Sequence, residues 1–525
     1  MPSVTEILLK LLLTLIATGC LFAIAKQRQN WVGRHARAVL VLLGAISVLA
    51  WFNFGAFHDR GGFRHNWEQL HYVLGSKYFP ELGYDGLYAA AVLAIGEFGL
   101  RHQLPEKFLD QRNGTLVPRE VVLEHGRAIR SGFSEERWKT FGRDLSVYRV
   151  PRDMWQDHGY NPTPAWTFTG RLFTAHLPIT QKTSKLLGLV DVGLLALVFL
   201  LIWRTFGLVP VCCAMIIFGL NYNARFYWTG GAFFRQDWLA AVTVGICMLQ
   251  RQNFTLAGLA LAYAASVRVF PVLFLVPIGI YAARCWKDGQ TLTWVRPLIA
   301  GLAVGGAIML IAGGLTGRGF EAWFESAERL QWLQSTKPFA NDVGLRMPFI
   351  TSLDNLRGEL TVLSSLYDQT RILDSYHTLM ESRSGLIWAA TLFVCVLVAW
   401  AAWRAPSPAQ ASVLGLALIF ALLSPTCYYW VMLLLMPLRQ PLQSTLACLI
   451  VMLIAYVLHP VAYALYSTGY IAVLNSPLAF SLMSGFMTLM FIYWLMPGRD
   501  LEVEYRKTDS VEAVPTRGKS LLSGK

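Results

Sequence analysis

Apolar runs of about 20 residues recur along most of the chain, and one long stretch, His58 to Lys185, interrupts them with charged and aromatic residues. Runs of that length match a hydrocarbon core about 30 Å thick. Hydrophobic residues make up 55% of the 525 residues and charged residues 15%, so the chain reads as an all-α polytopic membrane protein.

Segmentation predicts about 13 transmembrane helices, at 6–25, 38–57, 186–203, 206–222, 237–250, 255–269, 271–284, 296–315, 385–403, 410–424, 428–440, 443–466 and 478–497. Lys10 ahead of an apolar run also suits a signal peptide, but no small-residue cleavage site precedes Lys26, so the first segment reads as a retained span. The organisation that follows has an extra N-terminal helix and basic loop (1–37) and a membrane module (38–315) carrying a first outer loop (58–185). A second outer loop (316–384), C-terminal helices (385–497) and a disordered cytoplasmic tail (498–525) complete it.

Short cytoplasmic loops carry the excess of Lys and Arg. With alternating spans, Arg28, Arg34, Arg204, Arg251, Arg284, Arg404, Arg439 and Arg499 fall on one side, which places the N-terminus outside and the C-terminus in the cytoplasm of a cell (inner) membrane. Both large loops then face outward. The net charge of +13 is accounted for by these anchors and points away from nucleic acid. All eight cysteines lie in or at the ends of apolar segments, which suggests neither a disulfide framework nor a Cys-x-x-Cys metal site.

Four local patterns carry chemistry. Phe57-His58-Asp59-Arg60 puts a carboxylate at the outer membrane surface, where a low dielectric suits a general base; an interfacial ion pair of Asp59 with Arg60 or Arg64 is the plainer alternative. Later in the same loop, Tyr78 to Leu100 carries Glu81 and Asp85 beside an apolar segment that reads as an interfacial helix, and Asp157 to Trp166 puts Tyr160 and Trp166 at headgroup level. The second pattern, Ala224 to Val242, joins Gly230-Gly231 to Arg235 and Asp237 among aromatics, a mixture that suits a sugar or an interfacial turn with a capped helix. Third, Arg268 inside an apolar stretch costs about 2.5–3.5 kcal/mol on insertion scales, so a partner is expected: a lipid phosphate, Asp191, or the interface by snorkelling. Fourth, Ser424-Pro425 followed by Tyr428, Tyr429 and Trp430 reads as a turn at the outer face.

In this order the pieces resemble the GT-C superfamily of polyprenyl-phosphate-dependent glycosyltransferases, nearest the polyprenyl-phosphate-mannose-dependent mannosyltransferase branch. The stretches that carry the resemblance are His58-Asp59-Arg60, Tyr160 to Pro164, Gly231 to Asp237, Arg268 to Pro271 and Ser424 to Tyr429. The resemblance implies a GT-C-like fold and transfer of a hexose, such as mannose, from a polyprenyl-phosphate donor to a glycolipid or glycan acceptor, with inversion. It implies Asp59 as the base, with Asp85 as a further catalytic candidate, and Arg268 with Arg235 on the donor phosphate. His58, Arg60, Tyr160, Trp166, Asp237, Asn341, Tyr428 and Tyr429 are the substrate-binding candidates, beside membrane lipids as surroundings.

The chain departs from that pattern in four places. Phe234-Arg235-Gln236 stands where a Gly-Gln pair is usual, the aromatic turn lacks a histidine, an extra N-terminal span precedes the first family span, and the first outer loop is far longer. No cofactor is expected, although convergence of Asp59, Asp85 and Asp237 would suit a divalent cation. A flippase or transporter of lipid-linked sugars, which would usually show internal repeats, and a non-catalytic assembly protein of the envelope are the competing classes.

Overall fold

A computed structural model describes residues 4–26, 34–58, 62–335, 337, 339, 341–351, 369–466 and 477–496. Asp59 and Arg60 lie outside these residues, as does the tail 498–525. Among the described residues, seven helices are long and apolar enough to cross a membrane: Thr5–Ala25, Gln181–Phe206, Phe270–Lys287, Val295–Gly314, Ser384–Trp403, Pro441–Val461 and Leu478–Leu495. Apart from a short hairpin in which Lys107–Leu109 pairs antiparallel with Leu116–Pro118, the described secondary structure is helical. The protein is an all-α membrane protein.

Six further expected spans coincide with apolar helices of 10–17 residues: Ala36–Trp51, Leu208–Leu220, Asp237–Gln250, Phe254–Val267, Pro408–Leu422 and Cys427–Leu438. Their shortness has local causes. Gly207, at φ 92, ends the helix Gln181–Phe206 and starts the next one. Arg268 leaves the helix Phe254–Val267 in extended geometry, and Pro271 enforces the break. The segment Cys427–Leu438 is a 3-10 helix with Pro437 inside it.

Burial varies within both sets. The long helices turn rows such as Leu8, Leu12 and Leu15, or Val304, Ile308 and Ile311, outward. Leu208–Leu220 and Cys427–Leu438 are instead buried on most faces, packed on each other and also against Ala36–Trp51 and Pro441–Tyr466. Small residues allow the helices Phe254–Val267 and Val295–Gly314 to approach closely: a Cβ on Gly258 would stand 2.3 Å from the Leu298 carbonyl oxygen, and one on Gly301 would stand 2.2 Å from that of Thr255.

The first outer loop is a packed unit. Gly86–Glu97 is buried from Gly86 to Ile95 and is covered by the amphipathic helix Arg119–Arg130, so it lies within protein and not along the lipid surface. A buried ion pair, Lys77 Nζ to Asp144 Oδ2 at 2.7 Å, ties its start to its middle, and the Tyr78 hydroxyl donates to the same oxygen at 2.7 Å. The second outer loop docks on the Ser-Pro turn: the Val343 N–H donates to the Pro425 carbonyl at 3.0 Å, and the Cys427 N–H to that of Asn341 at 2.8 Å.

Candidate functional site

The site grows from one turn. Gly231 has φ 66, and a Cβ there would meet the Phe63 carbonyl oxygen at 1.8 Å. The glycine expected to admit a ligand therefore admits the chain's own backbone. His58 and the stretch 62–69 hold this turn: the His58 ring Nε2 bonds the Gly230 carbonyl at 2.6 Å, His65 Nε2 bonds that of Tyr227 at 3.0 Å, and Gln69 Nε2 donates to that of Gly231 at 2.8 Å. Burial, then the neighbouring His65, pushes the His58 pKa down to about 3; burial likewise lowers His65 to about 4. Both imidazoles are neutral at physiological pH, and the residue immediately before Asp59 is pinned to the loop that carries Arg235.

Asp191, on the helix Gln181–Phe206, fixes the next stretch. Its Oδ2 and Oδ1 accept the Arg235 and Gln236 backbone N–H groups, each at 2.9 Å. The sequence offered Asp191 as an intramembrane partner of Arg268; its oxygens instead hold this loop. Arg235 is 4% exposed and its Nε stands 2.9 Å from Glu68 Oε2. Its Nη1 donates to the Tyr72 hydroxyl, and its guanidinium lies 4.4 Å from the Tyr72 ring and 5.3 Å from that of Tyr428. Burial opposes the charge on Arg235, but Glu68 together with Tyr72, Tyr429 and Tyr428 outweighs it and holds the pKa above the usual range.

Arg268 completes a pair of cations around Tyr72, its guanidinium 5.9 Å from that ring. It is 8% exposed, and its Nε and Nη2 have no hydrogen-bond partner. Asp237 begins the helix Asp237–Gln250. Its Oδ2 accepts from the Tyr263 hydroxyl at 3.0 Å, while Oδ1 and the neighbouring Gln236 Oε1 are also without partners. Buried polar atoms left open in this way are costly unless something else satisfies them.

Thr229, Arg235, Gln236, Trp238, Tyr428, Tyr429 and Val431 line a cleft with ≈190 Å³ of empty space. Trp238, Phe270 and Tyr429 form an aromatic wall, with Trp238–Phe270 centroids 4.9 Å apart and Phe270–Tyr429 centroids 5.2 Å apart. The structure thus gathers Arg235, Asp237, Arg268, Tyr428 and Tyr429, with His58 tethered alongside.

Other candidates lie elsewhere. Asp85 stands 3.8 Å from His125 and lines a separate cavity with Asp110 and Arg112, so it does not meet Asp237. Among the described residues, no group of three or more His, Cys, Asp or Glu is arranged to hold a metal. Tyr160 and Trp166, expected at headgroup level, are 1% and 0% exposed. The Tyr160 hydroxyl hydrogen-bonds Thr167, and Trp166 Nε1 donates to the Phe234 carbonyl at 3.0 Å, holding the Arg235 loop from behind. Asn341 contributes a backbone carbonyl to the docking of the second outer loop.

Glu68 and Tyr72 are the site residues that the sequence reading missed. Their spacing, four apart on one helical stretch, was the available signal. The stretch includes a single π-helical turn, Leu70–Leu74, a distortion common at functional sites. No family model matches the chain, and neither a curated protein nor a solved structure matches it.

Proposed function

We propose that the protein is a membrane glycosyltransferase of GT-C type that moves a sugar from a polyprenyl-phosphate donor to a glycolipid or glycan acceptor at the outer face, with inversion. The observation that carries this reading is the pair of buried guanidinium groups, one of them with open nitrogens, beside a cleft walled by aromatics. Two cations suit a leaving phosphate, and aromatic faces suit a sugar.

In the proposed reaction Asp59 takes the proton of an acceptor hydroxyl as its oxygen bonds to the anomeric carbon. The bond from that carbon to the donor phosphate oxygen breaks, and polyprenyl phosphate leaves with the electron pair. Arg268 and Arg235 balance the charge that gathers on the phosphate, and Asp237 and Gln236 accept hydrogen bonds from sugar hydroxyls. The tether from His58 to Gly230 supports the role of Asp59, because it joins the base's segment to the phosphate loop. Thirteen spans, with the N-terminus outside in an inner membrane, belong to the same proposal.

The test is transfer from a panel of radiolabelled polyprenyl-phosphate sugars to membrane lipid extract, with purified wild type, Asp59→Asn and Arg268→Ala in parallel. Transfer by wild type alone supports the reading and names the sugar. Equal transfer by Asp59→Asn rejects the assigned base, and no transfer with any donor rejects the enzyme.

A further inference from the structure

A third buried arginine stands apart from Arg235 and Arg268. Arg225, just before the short helix Phe226–Thr229, is 2% exposed, and its Nε, Nη1 and Nη2 all lack hydrogen-bond partners. Its guanidinium lies 4.1 Å from the Tyr222 ring centroid. The His459 ring stacks on Tyr222 at 4.2 Å and 24°, is fully buried, and has both ring nitrogens without a partner. The Tyr456 ring meets Tyr222 edge-on at 5.1 Å, and the hydroxyls of both tyrosines are also open. Tyr222, Tyr456 and His459 all lie within electrostatic range of Arg225.

Two features of this cluster point to a ligand of one sign. First, its open groups supply many donors: three guanidinium nitrogens, two phenol hydroxyls and one imidazole N–H, beside the phenol oxygens, the second imidazole nitrogen and Asn223 Oδ1 as acceptors. Second, its surroundings carry a net positive charge, since Lys10 and Arg225 share the carboxylate of Glu6. The nearby Lys10 is paired with Glu6 at 2.8 Å and also donates to Asn53 Oδ1, which leaves Arg225 as the cation in excess. A guanidinium in an apolar interior is retained with a partner, and its planar fork fits an oxyanion by two parallel hydrogen bonds.

We propose that Arg225, Tyr222, Tyr456 and His459 form an oxyanion site, separate from the Arg235 cleft, that takes a phosphate group. The loop after Leu208–Leu220 and the helix Pro441–Tyr466 supply it, and the N-terminal helix Val4–Ala25 packs against the latter. Either a lipid phosphodiester or free phosphate carries the chemistry the site selects. The site goes beyond the transferase reading, because binding there requires no sugar transfer.

The full chain, exchanged into phosphate-free detergent, is titrated with inorganic phosphate and separately with dihexanoyl phosphatidylglycerol, and thermal unfolding is followed. Stabilisation of the wild type by either probe is expected; the effective probe identifies the source. Arg225→Met weakens that binding about tenfold or more, since it removes charge-assisted hydrogen bonds, whereas in Arg268→Gln the Arg225-dependent stabilisation remains. Should Arg225→Met fail to fold, His459→Phe makes the same comparison and is expected to weaken binding. The proposal is overturned if neither probe stabilises the wild type, if the folded variants at the site bind as the wild type does, or if Arg268→Gln abolishes the effect.

Discussion

Arg235 and Glu68 form a buried ion pair, Nε to Oε2 at 2.9 Å, with side-chain exposures of 3% and 15%. The pair sets a charged arginine at the cleft wall while neutralising most of its cost. Removing one partner of such a pair typically costs about 3–5 kcal/mol, whereas replacing both with apolar residues recovers much of it. Glu68→Met is therefore expected to lower unfolding stability by about that amount, and Glu68→Met with Arg235→Met to restore most of it without restoring sugar transfer. Thermal unfolding and the transfer assay, run on the same preparations, check both halves.

Arg268 behaves differently, because its Nε and Nη2 hold nothing in the protein. Arg268→Met should leave stability equal or higher and lower transfer by about 10²–10³-fold, the usual cost of one lost electrostatic contact to a developing negative charge. Arg268→Lys should recover only part of the rate, since an ammonium lacks the planar fork. A fall in both stability and rate would mark the residue as structural.

Asp59→Asn should express and fold as the wild type does and lose about 10²–10⁴-fold in transfer, the range spanned by general-base catalysis. The turnover number, not the Michaelis constant, is where the loss is expected.

Acid should weaken the tethered segment. The pKa of His65 falls to about 4 in the folded chain, mainly through burial, against about 6.5 unfolded. Between those values the unfolded state binds more protons, so stability falls as pH drops through that window, by at most about 1.4 kcal/mol per pH unit for this group. Unfolding followed from pH 7 to pH 5 should show the slope, and His65→Asn should reduce it, His58 supplying part of what remains. A wild-type profile without a slope would contradict the assignment.

The membrane class was legible because repeated apolar runs of spanning length cannot all be buried in a water-soluble core, and the helices fall where the runs are. Arg268 was legible because charge in an apolar run is expensive. Glu68 and Tyr72 were harder to read, since their four-residue spacing on one helical stretch gains meaning only when Arg235, far along the chain, folds onto them. Gly86–Glu97 misled for a related reason: its apolar composition suits a lipid surface as well as a protein interior, and its cover, Arg119–Arg130, comes later in the chain. Tyr160 and Trp166 carry polar tips that suit headgroups, yet Thr167 and the Phe234 carbonyl satisfy those tips inside the protein.

Asp191 lies near the middle of a helix of 26 residues, about 39 Å long and so longer than a typical hydrocarbon core. A helix of that length accommodates a thinner bilayer by tilting. Its carboxylate accepts both the Arg235 and Gln236 backbone N–H groups, so two hydrogen bonds at one side chain make this long helix the backing of the cleft wall.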